Sequence, residues 1–151
     1  MRFFRATRPF READPEMNST EPFDEAAIAT LVDHFYEKVR RDPQIGPVFN
    51  AAVHDWDEHK RLLTSFWCSV ALRAGSYRGN PMAAHRPHPI RAEHFDRWLA
   101  LWRETCDEEL DPVHAERMLE YAQRIGRSLK YGLGLHPEAQ PFGVPIVGVN
   151  R

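Results

Sequence analysis

Apolar residues recur along this chain at the three- to four-residue spacing of helices, and no segment of useful length alternates with the two-residue period of a strand. The first stripe is Ile28, Leu31, Val32, Phe35, Tyr36 and Val39. Asp24 suits its N-cap, and Phe23 stands where a hydrophobic staple to Ile28 would place it. Asp42-Pro43 ends this helix, and Gln44 to Asn50 reads as a tight corner with Phe49 turned inward. A second long helix starts at Asp55, at capping-box spacing from Glu58, and stops near Gly75. Its inner face carries His59, Leu62, Leu63, Phe66, Trp67 and Val70. After Pro89 a third helix turns Phe95, Trp98, Leu99, Trp102, Thr105 and Cys106 to one side, with Arg97, Arg103, Glu104 and Asp107 on the other. The fourth opens on Asp111 as cap and Pro112 at the first position, turns Met118, Ala122, Ile125 and Leu129 inward, and ends near Gly132 or Gly134.

Between the second and third helices the pattern shrinks to one turn, Asn80-Pro81-Met82-Ala83-Ala84-His85. Asn80 is a good cap, Pro81 fits the first helical position, and Pro87 disfavours helix at Arg86, so the turn can hardly outlast His85. An imidazole is thus held on a stub between long elements. Four helices alone would make a plain bundle with a full core. Inward polar groups on separate helices, Tyr36, His59 and Trp98, crowded by aromatics, fit a different arrangement. A flat apolar cofactor takes one imidazole on its metal and hydrogen-bond donors on the other face.

Length and composition narrow the class. The 151 residues suit one all-α domain over residues 23–134, with a flexible N-terminal extension over 1–22 and an irregular tail, rich in proline and glycine, over 135–151. A formal charge of −2 leaves no basic footprint for nucleic acid. Cys68 and Cys106 fall in different helices with no C-x-x-C pair, so neither a disulfide framework nor a thiolate zinc site is indicated and a reducing cytoplasm fits. No apolar run reaches membrane-spanning length, so no membrane association is expected. The first residues lack the apolar core of a secretory signal, and Glu12, Asp14 and Glu16 among the four arginines there argue against a transit peptide.

The segment LVDHFYEKVRRDPQIGPVFNAAVHDWDEHK, followed in order by FW, YRGNPMAAH and HFDRWLALW, resembles the truncated haemoglobins, specifically their bacterial group III branch, over roughly residues 24–133. The glycine-pair motifs of other truncated globins are lacking, as is typical of that branch. The resemblance implies a two-over-two helical sandwich around haem b, with His85 as the proximal ligand of the iron. It implies Tyr36 and Trp98 as distal donors, His59 at the mouth of the distal pocket, Phe49 against the haem edge and Leu63 as an apolar distal wall. Dioxygen, carbon monoxide and nitric oxide are the implied ligands, and a reductase a further partner. A diatomic ligand polarised toward negative charge accepts a charge-assisted hydrogen bond worth roughly 1.5–3 kcal/mol, so two donors slow release and favour capture followed by chemistry over bulk transport.

Alternatives stay open at the level of sequence. A haem redox enzyme, with nitric oxide dioxygenase or peroxidase-like activity, uses the same residues, although Ala84 and Arg86 beside His85 offer no carboxylate to strengthen a peroxidase. A non-haem metal site would draw on His54, His59, His85 and His88, but no H-E-x-x-H motif accompanies them. A cofactor-free helical domain would merely pack Tyr36 and Trp98. His94, on a true helix, rivals His85 as ligand; His88, Arg86 and Arg91 are candidate partners for haem propionates; His54 precedes a helix cap; and His34, His114 and His136 read as surface residues.

Overall fold

The computed structural model describes residues 22–135. Most of the expected N-terminal extension, and the tail beyond Leu135 with His136, lie outside them. Among the described residues there are six helices and no strand: α1 (Glu25–Arg41), α2 (Gly46–Ala52), α3 (Trp56–Leu72), α4 (Pro81–His85), α5 (Ala92–Glu109) and α6 (Pro112–Gly132). None is long and apolar enough to cross a membrane.

The helix starts follow local chemistry. Asp24 Oδ1 accepts from the Ala27 N–H at 3.0 Å, Asp55 Oδ1 from Glu58 at 3.1 Å and Asp111 Oδ1 from His114 at 3.0 Å, each satisfying a donor the helix cannot. The Asp55 box is only half made, because the Glu58 carboxylate pairs with Arg61. Phe23 packs at the core margin with its ring stacked on His114, 4.5 Å between centroids, so His114 is half-buried rather than a surface residue. Two further expectations change. The corner after Asp42 is itself a seven-residue helix, α2, with Pro47 in its first turn. Gly46 opens it where a Cβ would come within 3.0 Å of the Val39 and Arg40 carbonyls, which lets α2 leave α1 at close quarters. And α3 stops at Leu72, before Gly75, because Arg73 adopts the left-handed conformation (φ 58°) and its N–H returns to the Cys68 carbonyl.

Packing forms two layers, α1 with α3 and α5 with α6, joined where α1 meets α5 and α3 meets α6. The shared core holds Ile28, Leu31, Phe35, Trp67, Trp102 and Met118. Trp67 of α3 stacks on Trp102 of α5 with ring centroids 4.5 Å apart, a contact worth ~0.5–1.5 kcal/mol beyond its buried area. The buried Trp102 indole donates to the Met118 carbonyl at 3.1 Å, and Thr105 Oγ1 to the Leu101 carbonyl at 2.7 Å, so neither is left unpaired. Cys68 and Cys106 are buried free thiols, and burial pushes the Cys106 pKa up to about 12. Across the surface Lys38 reaches Glu104 and Glu108, and Lys60 reaches Asp33 and Glu37. Such exposed pairs contribute ~0.2–1 kcal/mol each, so they set register more than stability.

Candidate functional site

Tyr36 on α1, Phe49 on α2, His59 and Leu63 on α3, His85 on α4 and Trp98 on α5 all line one cavity of about 460 Å³. Ile45, Val48, Phe66, Phe95, Ile125 and Leu129 complete a mainly apolar wall. This cavity explains why α3 buries only Trp67 and Cys68 fully: its inward residues border a pocket, not a packed core, and Leu62, expected on the inner face, is 45% exposed.

The stub that carries His85 is built as its sequence dictates. Asn80 Oδ1 accepts from the Ala83 N–H at 3.1 Å, Pro81 opens the helix, and His85 closes it. His85 Nδ1 lies 2.6 Å from the Pro81 carbonyl, which can only accept. Nδ1 therefore carries a proton, and Nε2, which no described group bonds, is the ring nitrogen left to offer a lone pair. His94 is the reverse case. The Arg91 N–H donates to His94 Nδ1 at 3.0 Å, so that lone pair is used to start α5 and the proton sits on Nε2. Burial, with Arg91 nearby, holds the His94 pKa below the ordinary histidine value against the opposing pull of Glu93. Of the two rival imidazoles, only His85 offers a lone pair for a metal.

Tyr36 is 3% exposed, and its ring is held by Phe35, His59, Phe49 and Trp56 at centroid distances of 4.7, 5.3, 5.9 and 5.9 Å. Burial drives its pKa far above the ordinary phenol value, opposed by a hydrogen bond from Trp98. The phenol is therefore protonated throughout the working range. An indole N–H can only donate, so Trp98 engages the phenol oxygen and leaves the Tyr36 hydrogen to be given onward. Tyr36 and Trp98 line the same cavity, so the neighbour that bears on the phenol is a side chain of α5. His59 is kept neutral by burial first and by the nearness of His85 second, and its Nε2 is buried with no protein partner among the described residues. An unmatched buried nitrogen costs ~1–3 kcal/mol, which a polar occupant of the cavity would offset.

Of the residues expected near propionates, His88 lines the cavity while Arg86 and Arg91 do not, and Arg91 is paired with Glu93. His54 is exposed yet borders the cavity, and His34 is exposed and paired with Glu109. Although His54, His59, His85 and His88 share the wall, no three His, Cys, Asp or Glu side chains converge as a metal cage among the described residues. What the sequence concealed is the carboxylate of Asp42, which bonds Arg97 of α5 from 55 residues away. Arg97 read as an exposed polar position, and a pairing at that separation leaves no local signal.

Comparison with known proteins follows this geometry. The family model described as bacterial-like globin matches residues 24–129. A group 3 truncated haemoglobin, ctb, of Campylobacter jejuni is 36% identical over 122 residues, covering 74% of this chain and 96% of that protein. The group 2 truncated haemoglobin YjbI of Bacillus subtilis is 32% identical over 90 residues, 58% of this chain and 67% of its own length. Among solved structures, the crystal structure of group III truncated haemoglobin from Campylobacter jejuni superposes with a TM-score of 0.70 at 34% identity, covering 78% of this chain and 94% of that one.

Proposed function

The chain belongs to the bacterial-like globin family, in its group III truncated haemoglobin branch, and from that membership we propose that it holds haem b in the cavity, with His85 as the iron's protein ligand and dioxygen, carbon monoxide and nitric oxide as its diatomic ligands. Globin membership itself implies haem-based gas binding. The observation that carries the proposal is the tautomer of His85: with Nδ1–H given to Pro81, the Nε2 lone pair is the free one in a cavity otherwise walled by apolar and aromatic side chains. The orphaned His59 Nε2 fits the same occupant. When bound, the haem iron supplies the coordination position at which a diatomic ligand is held.

The remaining roles belong to the protein. Phe49 and Leu63 give the macrocycle apolar contact, and His88 is the best-placed side chain for a propionate. Tyr36 donates its hydroxyl hydrogen to the diatomic ligand, and Trp98, by donating to the Tyr36 oxygen, aligns and strengthens that bond. His59, neutral at the wall, adds a further polar contact. A carbonyl on His85 Nδ1, where a strong peroxidase would have a carboxylate, leaves the imidazole only moderately electron-donating, which favours ligand capture over peroxide cleavage. Convergent donors also favour retention over quick release, so oxidation of nitric oxide by the captured dioxygen is the enzymatic alternative, with a reductase as electron donor.

Two experiments test this. Absorption spectra of the oxidised, reduced and carbon monoxide-treated protein should show a Soret band that moves at each step, and His85→Gly should lose the endogenous ligand and regain it from added imidazole; a native histidine-ligated spectrum in that variant would move the ligand elsewhere. Tyr36→Phe should keep the haem and release dioxygen about ten- to a hundredfold faster in stopped flow. An unchanged rate would remove Tyr36 as the donor.

A further inference from the structure

Asp42 does more than end α1. Its side chain is 2% exposed. Oδ2 accepts from the backbone N–H groups of Gln44 and Ile45, both at 3.0 Å, and Oδ1 from Arg97 Nε at 2.8 Å, with Arg97 Nη2 in ion-pair contact at 2.7 Å. A carboxylate this buried stays charged only if its lone pairs are engaged, and here the donors come from two separate elements. A second strut runs beside the first, where Gln44 Nε2 donates to the Glu93 carbonyl at 3.4 Å. Both struts join the α1–α2 corner to the first two turns of α5.

The cavity wall continues on each side of that junction. Ile45, Val48 and Phe49 line it from the corner and α2, and His94, Phe95 and Trp98 from the start of α5. Neither Asp42 nor Arg97 touches the cavity. Trp98 directly follows Arg97, so any slip of α5 that loosens the ion pair also moves the indole relative to Tyr36. The other ties from α1 differ in kind: Lys38 and Lys60 end on carboxylates that are at least a third exposed, where solvent lets the partners drift.

We propose that Asp42, acting through Arg97, is a positioning residue that fixes Trp98 against Tyr36 and so sets the direction of the hydrogen bond offered to a diatomic ligand. This rests on the haem proposal above. The test uses the full chain loaded with haem, comparing Asp42→Asn and Arg97→Gln with the parent. The C–O stretching band of the reduced carbon monoxide complex reports the donors around the ligand, and stopped flow reports dioxygen release. Both variants should keep the Soret spectrum, shift or split the C–O band toward higher frequency, and release dioxygen up to ~tenfold faster, with Arg97→Lys recovering part of the change. If Asp42→Asn fails to fold, Arg97→Gln decides alone, since it leaves Asp42 to cap the corner. A parent-like band with release within about twofold of the parent in a haem-loaded variant would overturn the inference while leaving the haem proposal intact. A parent protein that takes up no haem would overturn both.

Discussion

At the scale of single residues, the site is a matter of where imidazole protons sit. His85 and His94 are both cavity histidines near helix ends, and one backbone contact apiece gives them opposite tautomers. Burial first, and the Arg91 charge second, make His94 pH-sensitive in a predictable sense. Its pKa is held below the ordinary 6.5, so as pH falls below that value the unfolded chain is protonated first. Stability present above 6.5 is then lost progressively until pH drops through the lower folded value, where protonation of Nδ1 breaks the bond from Arg91. His94→Gln keeps an acceptor but cannot titrate, so its melting temperature should fall less than that of the parent as pH is lowered from 6.5. Parallel profiles would assign the acid sensitivity to other groups.

At the scale of elements, the proposed iron ligand His85 stands on the smallest one. The five-residue α4 cannot hold itself by internal hydrogen bonds, because nucleation dominates a helix of one turn. It is kept by Asn80 at one end, by Pro81 fixing the first dihedral, and by contact with α6, where the Met82 side chain occupies the space left by Gly132. Asn80→Ala removes the side-chain cap at a cost of ~1 kcal/mol, and most of that loss should fall on α4. The expected outcome is faster transfer of hemin to an apomyoglobin acceptor with little change in far-ultraviolet circular dichroism. A parent-like transfer rate would mean that Pro81 and the α6 contact suffice.

At the scale of the molecule, two helical layers are joined through aromatic side chains, and a cavity of about 460 Å³ lies among elements drawn from α1 through α6. A ligand that contacts so many elements and binds only the folded chain stabilises all of them together, by ~4 kcal/mol at a thousandfold excess over its dissociation constant. The haem-free protein should therefore melt at a lower temperature than the loaded one, and calorimetry of the two forms should show the loss across the whole transition. Equal melting temperatures would place hemin outside the fold.

Much of this was legible along the chain, for a physical reason. Helix periodicity, caps at Asp24, Asp55, Asn80 and Asp111, and prolines at first-turn positions act within a few residues, so the four long helices and the His85 stub could be read locally. The inward polar residues Tyr36, His59 and Trp98 could be marked for the same reason, since each sits on an apolar stripe. Tertiary structure alone decided the rest. The corner after Asp42 became α2, set close against α1, and Leu62 on the inner face of α3 is left 45% exposed because it borders a cavity and not a packed core. The proposal of His85 over His94 rests on the different backbone contacts of the two rings, which periodicity does not show. The Asp42–Arg97 bond depended on two helices meeting in space, and periodicity carries no information about that distance.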